Sequence, residues 1–471
     1  MPLSTALPPS ALSKPTLRKY LIALGILYVG VVLYLVLEKG PRLWGPALGL
    51  PVVLAIVTNP RLAVYQFLFC LFIDLRLFES PTIYLIDIGA GLLVLAAIFD
   101  ILLNVEVRGE RPPLVFNYLA VLAALAIAAV FSVQPAAAVF PIARVTFLFA
   151  VFLSLVRLSS VVTFADSLRA FFVLMTVHAI FAVVPSIASG GRIRSFGFAE
   201  SAFDDLAMLL IPCGLSIYLW SKESSRRWYF IGTLVILAAL IGTQTRFAIL
   251  VCFVLCGLVI IVSGVQARRL RADGISVPPI GHRAGNLMFW LVVMSLLFVV
   301  IVPSVLERAL ARFSAAATTT PGGTMLLRLT LWKAAITVFF DNPLTGIGPG
   351  VFRHVDQYYG SLMFGPTYIY VRGLSAHNLF LHYLAETGII GVGAMLILFF
   401  NQFRLARRIW RENLSPGKTS YHTGLMVVSF GLLLTAFLEG SWMWGATGFA
   451  ATYFIAMIGA GSRPTTAGYG S

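Results

Sequence analysis

Apolar residues in this chain come in long blocks. Runs of roughly 17–25 residues, divided by short stretches that hold most of the charge, recur from one end of the sequence to the other. Each is long enough, as a helix, to cross a hydrocarbon layer about 30 Å thick with its backbone polar groups satisfied internally. The pattern predicts helical spans near 20–37, 43–58, 62–79, 83–103, 114–131, 139–156, 170–188, 203–220, 228–242, 247–264, 286–303, 377–401, 422–438 and 445–461. The second, third and ninth runs are short, so the expected class is an all-α integral membrane protein with about 12–14 transmembrane helices.

Composition sharpens this picture. Of 471 residues, 59% are hydrophobic and 11% charged, and the mean hydropathy of +0.92 excludes a soluble globular domain of this length. A formal net charge of +15 invites a nucleic-acid partner. The basic residues, however, are scattered between apolar runs, which points to membrane orientation and to no nucleic acid. Cys70, Cys213, Cys252 and Cys256 all lie inside apolar runs and read as small core residues, with neither a disulfide frame nor a metal site implied. The first apolar run lacks a small-residue cleavage site and is followed by Glu38-Lys39, so a retained helix is expected there.

Sorting the lysines and arginines of the short loops by alternate sides puts most of them on one side; the opposite short loops hold only Lys39, Arg42, Arg192, Arg194 and Arg246. By the positive-inside rule the rich side is cytoplasmic, with both termini. The expected organisation is a cytoplasmic tail (1–19), a first group of spans (20–303), an outer loop (304–376), further spans (377–461) and a second tail (462–471). In the outer loop a low-complexity turn (317–323) precedes Met325–Phe340, an apolar run interrupted by Arg328 and Lys333, which reads as a helix in the membrane interface or as a packed cover helix. Gly346, Gly348 and Gly350 then allow a tight turn. With no lysine following, they make only a weak phosphate-loop signal.

Ionisable side chains within spans are expensive and need a partner, a cavity or a task. Asp74, Arg76, Asp87, Arg144, Asp204, Asp205 and Arg246 are all expected near the outer ends of their spans, with Arg192 and Arg194 in the loop before the eighth. Asp74, Arg76 and Asp87 read as ion-pair members. The outward arginines depart from the orientation rule and read as an anion-binding cavity. His178 is expected to be a hydrogen-bonded core histidine. The stretch Arg372–Gly391, RGLSAHNLFLHYLAETGIIG, re-enters the membrane from the long loop and places His377 at a water boundary. Two readings stand beside each other: His377 is a base at that boundary, or Ser375 or Asn378 merely caps the helix and His377 rides along.

Three segments in this order, TQTRFAILV (243–251), RLTLWKAAITVFFDNPLTGIGPGVF (328–352) and SAHNLFLHYLAETGIIGV (375–392), resemble the core of the O-antigen ligase and polymerase superfamily. The resemblance implies a GT-C-like, polytopic glycosyltransferase of the bacterial inner membrane. It would take a glycan from undecaprenyl diphosphate on the outer, periplasmic face and pass it to lipid A core or a growing polysaccharide; no acidic pair or ligand cluster in the sequence demands a metal, so a reaction without cofactor or metal is expected. Carried over, the essential histidine is His377, and the donor diphosphate meets Arg246 and either Arg192 or Arg194. Asn378, Arg144, Arg372 and Glu386 are expected to support them. Where many members have asparagine after the arginine loop this chain reads FAESAFDDLA (198–207), which leaves the choice between Arg192 and Arg194 open. The chemistry fits independently: diphosphate is a good leaving group, so the transfer needs cations for the developing charge and a base for the acceptor hydroxyl. An imidazole, with an ordinary pKa of about 6.5, can be that base or can bind diphosphate as a cation. A lipid flippase or transporter is the competing class, and protein glycosylation the competing branch within the family; sites near the midplane between repeated halves would favour transport.

Overall fold

The computed structural model describes residues 52–73, 75–79, 82–103, 112–189, 202–221, 223–243, 245–301, 324–355, 357–359, 373–412, 416–438 and 445–461. The chain is a multi-pass helical membrane protein. Among the described residues eight helices are long and apolar enough to cross a membrane, or nine if one bent pair is a single span.

That bent pair, α1 (Val52–Thr58) and α2 (Pro60–Cys70), turns through 116°. Asn59 forces the turn: its Oδ1 accepts from the N–H groups of Arg61 and Leu62, while Pro60 occupies the first helical position, where no N–H is needed. The span expected near 62–79 therefore stops at Cys70 and gives way to a hairpin of β1 (Arg76–Glu79) and β2 (Thr82–Tyr84). The following helices are α3 (Leu85–Leu103), α4 (Val115–Val130), α5 (Val139–Leu158), α6 (Phe164–Ala188), α7 (Phe203–Trp220), α8 (Glu223–Thr243), α9 (Arg246–Ala272) and α10 (Ile280–Ile301). After the long loop's α11 (Thr324–Asp341) come α12 (Leu379–Glu412), α13 (Pro416–Leu438) and α14 (Gly445–Gly461). The expected first span, near 20–37, lies outside the described residues.

The bundle is built round α7. Every residue of it except Asp204 is buried, as a helix apolar on all sides requires, and it packs on α8, α9 and α13. Its polar groups are met inside the protein: Ser216 donates to the Ser420 carbonyl at 2.6 Å, Trp220 to Ser263 at 3.1 Å, and the Asp205 carboxylate accepts from Thr447 at 2.9 Å. Buried Arg283 donates to the carbonyls of Leu219 (2.8 Å) and Ser221 (2.9 Å), closing the helix's C-terminus with a cation where the dipole favours one.

Two ion pairs fix α3 against α5. Asp87 pairs with Arg144 and Asp100 with Arg157, both 57 residues apart in sequence. Equal offsets mean parallel helices in register, with the pairs separated by about 20 Å along the axis. Asp87 thus finds its partner on α5, and it also accepts from the Tyr84 N–H at 2.9 Å. Arg144 lies over the Phe449 ring at 4.5 Å. Alternation of spans from this pair puts the first turns of α3, α5, α7, α9, α12 and α14, together with the long loop, at one end of the bundle, here called the loop end. His178 is buried between the rings of Phe72 and Phe203, at 5.6 and 5.4 Å.

Candidate active site at the loop end

α12 is interrupted. At Gly388, φ 61° and ψ −159° lie in a region open only to glycine. In an unbroken helix the carbonyls of Ala385 and Glu386 would accept from Ile389 and Ile390. Here they accept instead from Ile347 and Gly348, each at 3.0 Å, while Ile389 and Ile390 donate to Pro343 (2.9 Å) and Leu344 (3.4 Å). The segment 343–348 is docked in the break like a short strand. A side chain at Gly388 would strike the Leu344 carbonyl, and one at Gly346 the Glu386 backbone. The glycines expected to make a turn therefore also allow two backbones to touch.

Glu386 completes the join. It is 4% exposed, accepts from the Phe352 N–H at 3.1 Å and faces His382 Nε2 at 3.4 Å. α11 covers this arrangement: Leu331, Ala334, Ala335 and Val338 are fully buried in one cluster with Ile347, Val351, Phe352, Ala376 and Ala385. The cover-helix reading of 325–340 is the observed one for that face, while Leu329, Ile336 and Phe340 on the other remain exposed.

At the start of α12, Asn378 is the cap. Its Oδ1 accepts from the Leu381 N–H at 2.9 Å and its carbonyl from the His382 N–H. His377, just before it, has φ 47°, a left-handed conformation that costs a side-chain-bearing residue about 1–2 kcal/mol. The capping reading thus accounts for Asn378 and leaves the strain at half-buried His377 unexplained by capping. Strained non-glycine residues cluster at functional sites.

A cavity of about 160 Å³ is lined by Ala137, Phe140, Pro141, Gly350, Arg353, His354, His382 and Glu386. Burial pulls the Arg353 guanidinium down from its ordinary value, and Glu386 and then Tyr84 oppose that. His377 and Arg353 are both electrostatic neighbours of His382. Tyr383 turns to another side, onto an apolar cavity of about 60 Å³ between helices.

His377 and Glu386 are both electrostatic neighbours of His382, and Asn378 caps the helix that carries His382 and Glu386. Arg246, half-buried in the first turn of α9, opens its helix at the same end of the bundle, and Arg144 is there too, paired with Asp87. Arg192, Arg194 and Arg372 lie outside the described residues. Sequence reasoning missed His382, Arg353 and His354. A signal existed for the first: His382 stands four residues before Glu386, one turn apart on the same helix face. Arg353 and His354 are placed by the docking of 343–352, which no periodicity announces. Arg328 was passed over too; it is half-buried, one turn before Leu331 on the face of α11 that packs inward.

Residues 231–396 match the sequence model of a family described as O-antigen ligase. No curated protein matches the chain.

Proposed function

We propose that this chain, which carries an O-antigen ligase domain over residues 231–396 and so belongs with the O-antigen ligase superfamily, transfers a glycan from undecaprenyl diphosphate to an acceptor hydroxyl at the loop end of its helical bundle. The observation that carries the reading is His377: strained, half-buried, at the end of the long loop and an electrostatic neighbour of His382, which lines a cavity with Arg353, His354 and Glu386. Attack by the acceptor oxygen at the anomeric carbon breaks the bond to the diphosphate oxygen. The acceptor proton goes to His377, and the diphosphate leaves with its charge held by cations. Arg246 is one such cation, at a helix N-terminus whose first N–H groups receive no side-chain cap from Thr245 and whose dipole favours an anion. Arg192 or Arg194 is the second. The loop end faces the periplasm in this reading, which the distribution of lysine and arginine among the short loops supports.

Deleting the gene and separating the surface glycan by gel tests the function. Loss of attachment identifies a ligase and loss of long chains a polymerase; unchanged glycan contradicts the proposal, and so does loss of all surface glycan with lipid-linked precursor trapped on the cytoplasmic side, which identifies a flippase.

A further inference from the structure

The long loop's helix α11 has a second face that its packing as a cover does not use. Leu329, Lys333, Ile336 and Phe340, at steps of four, three and four residues, form one exposed stripe opposite the face buried on Ile347, Phe352 and Ala385. Phe340 is 72% exposed, and Leu344, just past the helix, 65%. A contiguous exposed apolar face marks a contact surface.

Two observations say what it touches. The stripe does not end in the loop: Pro343 and Leu344 accept from the N–H groups of Ile389 and Ile390, so it runs on into those two exposed side chains of α12. Further along the same helix, which is long and apolar enough to span, Ile397 and Phe400 are exposed as well. The stripe is thus continuous with a lipid-facing surface. Depth is the other observation. Beyond the break, the charged residues of α12 begin at Arg404. At 1.5 Å per residue Gly388 stands about 24 Å above it, less if the helix tilts, whereas the hydrocarbon layer is about 30 Å thick. The segment 343–348, docked at Gly388, therefore lies within that layer. Irregular backbone at such depth needs its polar groups met by protein. Here Ile347 and Gly348 donate to α12 carbonyls, and Pro343 and Leu344 accept from α12.

We propose that α11 and the segment 343–348 form a re-entrant element, with Phe340 and Leu344 among the acyl chains of the leaflet at the loop end and Lys333 extended to its headgroup phosphates. A lysine within an apolar stripe is suited to that boundary, because its stem lies on apolar surface while its ammonium reaches the phosphates. The element anchors the C-terminal half of the long loop in the membrane, and with it the chain that leads to Arg353 and His354. The proposal stands on placement alone and does not depend on the glycan-transfer reading.

The test is fluorescence quenching in nanodiscs of phosphatidylcholine and phosphatidylglycerol, with the full chain carrying an environment-sensitive dye at Lys333→Cys, Phe340→Cys or Leu344→Cys. The native cysteines are buried, and the unsubstituted chain measures their background. The quenchers are a lipid with a nitroxide high on its acyl chain, a lipid with a nitroxide on its headgroup, and aqueous iodide. Ile397→Cys serves as the lipid-facing reference and Ser160→Cys, in the exposed turn after α5, as the aqueous one. Dyes at 340 and 344 should be quenched by the acyl-chain nitroxide within about twofold of the dye at 397, and by iodide at least about fivefold less than the dye at 160. The dye at 333 should be quenched more by the headgroup nitroxide than by the acyl-chain one. Iodide quenching at 340 and 344 equal to that at 160 overturns the proposal, since the element would then stand in water. Protection of both dyes from all three quenchers also overturns it, since protein would then cover the stripe. So does a dye at 333 that lies deeper than the one at 344. Ile336→Cys, on the same stripe, replaces either apolar position if that variant does not fold.

Discussion

His377 takes a backbone conformation that a glycine would occupy without strain, and yet the residue is a histidine. That contrast separates its conformational role from its chemical one. His377→Gly should unfold at a higher temperature than His377→Ala, by the roughly 1 kcal/mol that an alanine loses in the left-handed region. Both should be inactive in transfer, measured with lipid-linked donor and purified protein. An active glycine variant would return the position to a turn. At Arg246 the comparison runs between arginine and lysine: Arg246→Lys keeps the charge but loses the planar fork that grips two phosphate oxygens. Transfer should fall at least about tenfold in Arg246→Lys and vanish in Arg246→Ala at normal expression; wild-type rates in the alanine variant would remove it from the site.

The break in α12 ties the segment 343–352 to the histidine-bearing turn, so the element should respond as one unit. Gly388→Ala forces an alanine into a conformation it cannot share and against the Leu344 carbonyl, a strain of about 1–3 kcal/mol before the clash is counted. It should expose 343–352 to proteolysis and stop transfer; unchanged protease resistance would contradict the docking. Glu386→Ala leaves the Phe352 N–H without its acceptor and should loosen the same segment, while Glu386→Gln keeps an oxygen there and should loosen it less. Much of this element was legible in the sequence: the helix, a cap at Ser375 or Asn378, the glycines of 346–350 and the histidine at the helix start all follow from local chemistry. The docked segment was not, because hydrogen bonds between residues 347 and 385 are a tertiary exchange of partners, and apolar periodicity carries no trace of a helix that breaks to receive another segment. The span expected near 62–79 failed for a local reason that was on view, Asn59-Pro60 being a strong helix start placed inside the apolar block.

Across the whole molecule, the parallel pairing of α3 and α5 and the buried position of α7 give the bundle its two ends. Arg144→Met alone strands Asp87 within the bundle and should cost about 3–5 kcal/mol, whereas Arg144→Met with Asp87→Leu should recover most of it; thermal unfolding of the four-member set measures the coupling. Reporter fusions after Gly274 and Gly417 should read cytoplasm and one after Gly322 the far side. Composition was enough to read the class, because it follows from transfer free energies summed over whole spans. Which residues share the loop-end site depends on packing and became visible only in three dimensions. The central claim is that His377 takes the acceptor's proton there. The most direct measurement is donor affinity and turnover, determined separately for purified wild type and His377→Ala with the lipid-linked glycan. The account predicts lost turnover with donor affinity within about threefold of wild type. Turnover and affinity lost together would make His377 a cationic clamp, and wild-type turnover in the alanine variant would contradict the claim outright.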